Sequence, residues 1–171
     1  ILTYLKVALI AGVALAMPII VYQLIKFVLP ALLPHERRYL YFLVPGASIS
    51  FLCGLAFAYF VMLPFAVKYL LTFGGDVARA QWTIGEYITF VTNFLFWVGV
   101  VFETPLVVFF LAKVGLVSPQ WLSSNRKYAI VIIAVIAAVI TPTPDPFNMT
   151  IVMLPLLALY EVGILLARLA R

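Results

Sequence analysis

The stretch FLFWVGVVFETPLVVFFLA, residues 94–112, decides the fold class of this chain. All of its residues are apolar except Glu103 and Thr104, and a helix of this length matches the thickness of a lipid bilayer. Glu103 lies at the centre of the stretch and therefore falls near the middle of the membrane. A carboxylate there costs about 2.5–3.5 kcal/mol on insertion scales, so we expect it to face protein or water and to mark the functional site.

The composition places the rest of the chain in a membrane as well. Hydrophobic residues make up 66% of the 171 residues and charged residues 10%, whereas soluble domains are roughly half apolar and about a quarter charged. This length predicts a single polytopic membrane domain over residues 1–171, without a separate soluble domain. The lone cysteine, Cys53, allows no disulfide framework within the chain and is predicted to be a small core residue.

Hydropathy predicts an all-α bundle of five transmembrane helices, at residues 3–33, 39–73, 83–114, 128–140 and 149–167. The second exceeds the roughly twenty residues that a bilayer requires, and its prolines predict a bend or a tilt. The last two are predicted to be short. The fourth would cover only about 20 Å of a roughly 30 Å hydrocarbon core.

Three helix starts carry capping signals. The tetrapeptide TIGE, residues 83–86, is a capping box that accounts for Glu86. Ser118 and Asp145 each precede a proline and are predicted to be N-caps. The first opens a short surface helix carrying Trp121, and the second opens the last span.

The basic residues divide unequally between the two ends of the predicted helices. One end holds Lys26, Arg37, Arg38, Lys113, Arg126, Lys127, Arg168 and Arg171. The other end holds Lys6, Lys68 and Arg79. By the positive-inside rule the first end is cytoplasmic, so five spans place residue 1 outside and residue 171 inside. This topology accounts for the net charge of +5 without a nucleic-acid partner.

The sequence carries no set of side chains suited to catalysis. Its single histidine, His35, lies in a predicted loop, and motifs such as HExxH and GxSxG are missing. Spacings suited to metal ligands are missing too. We therefore predict a binding protein without a cofactor, and not an enzyme.

Two neighbours of Glu103 strengthen its candidacy. Pro105 cannot donate a hydrogen bond to the carbonyl of Val101, so a bend and an unpaired acceptor are expected beside the acid. Gly99 lies four residues earlier on the same helix face and is expected to leave space for an approaching group. The alternative is a protonated Glu103 that is hydrogen-bonded within its own chain.

Two further acids each allow two interpretations. Glu36 can be a first-turn acid of a helix that begins at Pro34, with Arg37 serving as a topology signal or lipid contact, or it can bind a partner. Glu161 either pairs with a side chain on another helix or approaches the inner membrane interface.

Four separated motifs resemble the TatC family, the multispanning receptors of the twin-arginine translocase. FVLPALLPHERR, residues 27–38, is similar to the first cytoplasmic loop of that family, and FETP, residues 102–105, to its fourth span. TPTPDPF, residues 141–147, is similar to its last periplasmic loop, and PLLALYE, residues 155–161, to its final helix. The resemblance departs at residues 148–149, where Asn-Met replaces the usual Ser-Gln.

The resemblance implies a six-span fold with a concave, glove-like face, of which this sequence holds the second to sixth spans. It implies a receptor in the bacterial inner membrane that binds twin-arginine signal peptides of folded cargo, assembles with the single-span proteins TatA and TatB, and self-associates in a larger complex. Export then uses the proton-motive force.

The same resemblance implies roles for individual residues. Glu36, with Phe27 and Arg37, would form the signal-peptide site, and Glu103 would meet a polar group of a partner span or of the inserted peptide. Asp145 and Glu161 are further candidates, and the short last helices would be the docking wall for TatA and TatB.

Two rival functions remain at this point. A proton-coupled secondary transporter would use Glu103 as its relay, although the chain shows no internal repeat of the kind common in that class. A purely structural membrane subunit would leave Glu103 unexplained.

Overall fold

The computed structural model describes residues 1–28, 40–72, 83–141 and 145–170, and the regular structure in these ranges is helical throughout. The helices are α1 (Leu2–Val28), α2 (Leu40–Phe57), α3 (Leu63–Thr72), α4 (Ile84–Phe102), α5 (Thr104–Lys113), α6 (Pro119–Ser124), α7 (Arg126–Ile140) and α8 (Pro146–Leu169). A π-helical turn, Ala58–Met62, joins α2 to α3. The predicted all-α class is confirmed.

Four helical segments are long and apolar enough to cross a membrane: Leu2–Phe27, Tyr41–Tyr69, Ile84–Lys113 and Pro146–Leu169. They correspond to the first, second, third and fifth predicted spans. The fourth predicted span is α7, whose 15 residues cover about 22 Å at about 1.5 Å per residue. Helix α8 has 24 residues, so the prediction of two short final helices was wrong for α8.

The predicted N-caps are all present. The Thr83 hydroxyl accepts from the Glu86 N–H, and the Thr83 N–H donates to the Glu86 carboxylate at 3.0 Å. The Ser118 hydroxyl accepts from the Trp121 N–H at 3.1 Å and so opens α6. The Asp145 carboxylate accepts from the Asn148 N–H at 2.9 Å, which starts α8 earlier than its apolar run suggests.

The main core lies where α4 meets α7, α8 and the π-helical turn. Its most deeply buried side chains include Met62, Phe94, Val98 and Val152. A second, smaller cluster of Ile25, Leu43 and Phe110 joins α1, α2 and α5. Many large apolar side chains outside these clusters are exposed, as expected of a surface that faces lipid.

Cys53 is exposed, so its prediction as a core residue was wrong. Successive residues on a helix are about 100° apart, and α4 contacts only one face of α2. That face carries Phe51 and Gly54, which meet Gly99 and Phe102. Leu52 and Cys53 lie on the outward face.

The helices alternate in direction, and contacts at each end show this. At one end, which we call the basic end, the described cations are Lys26, Lys113, Arg126, Lys127 and Arg168. There the Lys113 ammonium donates to the Ala170 carbonyl at 2.8 Å, and the Tyr160 hydroxyl donates to the Leu122 carbonyl at 2.9 Å. At the opposite end the rings of Tyr69 and Phe147 stack with centroids 4.9 Å apart.

Candidate functional site

Glu103 lies at the junction of α4 and α5, about midway along the apolar segment Ile84–Lys113. The residue is only 6% exposed. Its Oε2 atom is buried and has no hydrogen-bond partner. The internal hydrogen bond that the alternative interpretation required is therefore not observed for this oxygen, and the acid remains a buried group with unused bonding capacity.

The sequence predicts that Glu103 faces an incoming polypeptide, but the residue is buried in the structure. Its neighbours along the chain explain why. Phe102 packs against Gly54 of α2, and Pro105 packs against Gly163 of α8, with Pro105 Cα 3.5 Å from the position of an added Cβ. Because contacts on both sides of Glu103 bring in other helices, its carboxyl group is covered by its own chain.

The backbone at Glu103 is reorganised by Pro105. The Glu103 N–H donates to the Val100 carbonyl at 3.1 Å, and the Leu106 N–H donates to the Glu103 carbonyl at 3.1 Å, so the helix tightens there into a turn. The predicted interruption is thus observed. Pro105 removes the helical donor of the Val101 carbonyl, as expected. The prediction that this carbonyl is unpaired was wrong, because the Glu103 N–H is shared between the Val100 and Val101 carbonyls.

The Phe102 carbonyl also loses its helical donor, because the Leu106 N–H donates to the Glu103 carbonyl instead, and Ser50 satisfies it. The Ser50 hydroxyl on α2 donates to the Phe102 oxygen at 2.7 Å. Sequence analysis missed this residue. The available signal was a proline that must free a carbonyl in one helix, together with a small polar residue in a neighbouring apolar helix.

Replacing Ser50 with alanine should lower the free energy of unfolding by about 1–2 kcal/mol, because the Phe102 carbonyl then has no donor in an apolar setting. Thermal unfolding of the purified protein in one detergent measures this. The matched control is Ser48→Ala, since the Ser48 hydroxyl bonds only the Val44 carbonyl of its own helix. Equal destabilisation by both variants would contradict the role given to Ser50.

Gly99 does not leave room for an approaching group, and that prediction was wrong. A Cβ on Gly99 would lie 2.8 Å from the ring of Phe51. A Cβ on Gly54 would lie 2.7 Å from Phe102 Cβ and 3.0 Å from Gly99 Cα. The two glycines therefore let α2 and α4 approach closely beside the Glu103 turn.

Glu161 pairs across helices, which decides between its two interpretations. Its Oε2 lies 2.8 Å from a guanidinium nitrogen of Arg126 at the start of α7. Both side chains are about half exposed, so the pair adds at most about 1 kcal/mol to stability. It links α7 to α8 at the basic end.

Asp145 is the N-cap of α8, and its carboxylate accepts the Asn148 N–H. Asn148 itself is fully buried, so an amide lies inside the bundle at this position. Phe27, at the end of α1, is 86% exposed. Glu36 and Arg37 lie outside the described residues.

The described part of the chain holds no group of three or more histidine, cysteine, aspartate or glutamate side chains that could bind a metal ion. In that part of the chain, Glu86 and Asp145 belong to helix caps, Glu161 pairs with Arg126, and Glu103 is buried. This arrangement suits the recognition of polar groups inside an apolar protein.

A family model described as "Sec-independent protein translocase protein (TatC)" matches residues 1–155 of the chain. The Sec-independent protein translocase protein TatC of Carboxydothermus hydrogenoformans is 44% identical over 98% of this chain and 69% of its own length. The protein of the same name from Akkermansia muciniphila is 41% identical over 95% of this chain. The chain spans 47% of that second relative, about half of its length.

The fold is similar to that of a solved protein as well. A crystal structure of a twin arginine translocase receptor, TatC, matches with a TM-score of 0.86 and 40% sequence identity. The match covers 99% of this chain and 74% of that chain.

Proposed function

Because the chain belongs to the TatC family of Sec-independent protein translocase proteins, we propose that it acts as the signal-peptide receptor and scaffold core of a twin-arginine translocase. The observation that carries this proposal is the likeness in fold to a twin arginine translocase receptor over 99% of the chain. A receptor of this kind works by binding polypeptides and not by making or breaking bonds.

The proposal places the protein in the bacterial cytoplasmic membrane, with the basic end and the C-terminus in the cytoplasm. The positive-inside rule supports this orientation. Helix α7 belongs to the membrane bundle in the proposal, although its length of about 22 Å falls short of a hydrocarbon core of about 30 Å. A locally thinned bilayer at α7 would accommodate it.

Signal-peptide capture is assigned to Glu36, with Phe27 and Arg37 nearby in sequence. An arginine guanidinium presents a planar fork of donors, and a carboxylate accepts two of them in parallel. The exposed ring of Phe27, at the basic end of α1, offers an apolar contact for the peptide in this proposal. The site thus combines one acid with one aromatic surface.

Replacing Glu36 with glutamine should weaken the binding of a twin-arginine signal peptide roughly 10–100-fold, because charge-assisted hydrogen bonds contribute about 1.5–3 kcal/mol. Fluorescence anisotropy with a labelled peptide and the purified protein measures the affinity. The peptide control carries two lysines in place of the arginines.

The protein control for that experiment is Glu161→Gln. It removes an acid from the same end of the molecule, but one whose carboxylate already binds Arg126. Binding that is unchanged in Glu36→Gln, or lowered equally in both variants, would contradict the assignment. Failure of the wild-type protein to prefer the arginine peptide would contradict the proposed function itself.

Glu103 is the proposed contact for a polar group of TatA, TatB or the inserted signal peptide. Its Oε2 has no internal partner, which supports this role. Because the residue is 6% exposed, contact requires the helices around the Glu103 turn to move apart or the side chain to rotate outward. Transport of folded cargo driven by the proton-motive force belongs to the same proposal.

A further inference from the structure

A cavity of about 600 Å³ opens at the basic end between the short helix α6 and the last turn of α8. Its lining is formed by Pro119, Gln120, Ser123, Ser124 and Arg168. No role in the proposed capture of signal peptides involves these residues. We call this space the α6–α8 cavity.

Two of its lining residues have hydrogen-bond donors that are not used within the chain. The Ser123 hydroxyl oxygen is buried and has no hydrogen-bond partner. The Arg168 side chain is exposed, and no hydrogen bond or ion pair joins it to the described part of the chain. Both donors suit an anion, and a guanidinium in particular matches the oxygens of a phosphate.

The neighbouring cations are already engaged, which sets Arg168 apart. Arg126 binds Glu161 at 2.8 Å. The Lys113 ammonium donates to the Ala170 carbonyl, and the Lys127 ammonium lies 5.1 Å from the centroid of the Tyr128 ring. Among the cations that the structure describes at the basic end, Arg168 is the one that lines this cavity.

Two apolar side chains of α8, close to Arg168 in the sequence, are exposed. Leu169, next to Arg168, is 81% exposed, and Leu165 is 56% exposed. The two residues are four apart and so share a helix face. A ligand with a phosphate at Arg168 and hydrocarbon along these leucines would satisfy both surfaces, whereas a free phosphate would use only the first.

We propose that the α6–α8 cavity binds the phosphate headgroup of an anionic phospholipid, with its acyl chains along Leu165 and Leu169. Basic pockets between membrane helices commonly bind anionic headgroups on the cytoplasmic side. Only the choice of leaflet rests on the orientation given under the proposed function. The site itself depends on the cavity and its donors.

Native mass spectrometry of the purified protein, titrated with phosphatidylglycerol or with phosphatidylcholine of the same acyl chains, tests this site. We expect tighter binding of phosphatidylglycerol to the wild-type protein. Arg168→Gln should weaken it about tenfold, and Ser123→Ala should weaken it by a smaller factor, since it keeps the charge but removes the inner donor. Lys127→Gln, at the same end but outside the cavity, is the control and should stay within about twofold of wild type.

Several results would overturn the proposal. Equal binding of the two lipids, or an equal loss in Lys127→Gln and Arg168→Gln, would mean that the surface attracts lipid without a specific site. Inorganic phosphate that binds at millimolar concentration and removes no lipid would identify a site for a soluble anion. If Arg168→Gln lowers the thermal stability, Ser123→Ala decides the outcome, and unchanged lipid binding in that variant counts against the site. None of these readouts depends on signal-peptide binding.

Discussion

Replacing Glu103 with methionine should stabilise the folded protein while it abolishes export. In the structure the carboxyl group is buried and its Oε2 has no partner. A buried polar group left unsatisfied costs about 1–3 kcal/mol, and an apolar side chain of similar volume removes that cost. The free energy of unfolding should therefore rise by about 1–3 kcal/mol.

The same substitution removes the polar group that we assign to a partner span. Export of a twin-arginine reporter in cells that depend on this protein should fall at least about tenfold, as should cross-linking of mid-membrane positions to TatA or TatB, because one charge-assisted hydrogen bond contributes about 1.5–3 kcal/mol. Glu103→Gln keeps the ability to form hydrogen bonds and should retain part of the cross-linking.

The matched control is Thr104→Val, which removes a neighbouring polar group of the same apolar stretch and preserves its shape. It should leave export unchanged. A Glu103→Met protein that is less stable than wild type but exports normally would show that the acid is structural. A protein that is more stable and still exports would show that its buried carboxyl group has no function in transport.

The two Glu103 variants also test the rival function, a proton relay in a secondary transporter. A relay in a secondary transporter would lose solute transport in Glu103→Met and Glu103→Gln alike, because neither side chain exchanges a proton near neutral pH. A contact for a partner span distinguishes the two variants, since glutamine still donates and accepts. The pair of substitutions therefore separates the two functions at one residue.

The helices could be predicted from the sequence because each depends on local patterns. Capping residues were the more accurate guide to their limits. Hydropathy starts the last span at residue 149, but the Asp145 cap begins α8 at Pro146, and the three added residues include the buried Asn148. A cap acts through hydrogen bonds to the first turn, and it does not require an apolar side chain at those positions.

The response of each helix to proline could not be predicted in detail. Both Pro64 and Pro105 remove a backbone donor, yet the chain adapts in different ways. Before Pro64 it widens into the turn Ala58–Met62, where the Leu63 N–H donates to the Ala58 carbonyl five residues back. At Pro105 it tightens instead. Which adaptation occurs depends on the packing of neighbouring helices, and that is not a local property.

Only part of the candidate site could be predicted from the sequence, again because the packing between helices is not a local property. Glu103 is identified by its cost in an apolar segment, which one stretch of sequence reveals. Its burial, the Ser50 contact and the closeness of Gly54 to Gly99 depend on how α2 crosses α4. A single sequence holds little information on which faces of two helices meet when both are apolar over most of their surface.

Gly54→Ala should destabilise the protein most strongly among single glycine-to-alanine changes in the described helices. Its Cβ would lie 2.7 Å from Phe102 Cβ and 3.0 Å from Gly99 Cα, and neither atom can retreat as the far end of a flexible side chain would. The two helices must therefore separate, which also weakens the Ser50 hydrogen bond to Phe102. We expect a loss of about 1–3 kcal/mol in the free energy of unfolding.

The other glycines provide a graded set of controls for this prediction. An alanine Cβ at position 99 meets only the outer edge of the Phe51 ring, at 2.8 Å, so a rotation of that ring relieves part of the clash. At position 163 the nearest atoms are 3.5 Å away, an ordinary contact, and at position 12 no atom lies within 4 Å.

Thermal unfolding in one detergent should therefore rank the losses as Gly54→Ala above Gly99→Ala, with Gly163→Ala and Gly12→Ala close to wild type. Equal losses at positions 54 and 12 would mean that helix propensity, and not the approach of α2 to α4, sets the effect. The ranking then bears on function as well, because the packing of Phe102 on Gly54 is one of the two helix contacts beside Glu103. A Gly54→Ala protein that remains folded should expose the carboxyl group more and cross-link to a partner span more readily than wild type.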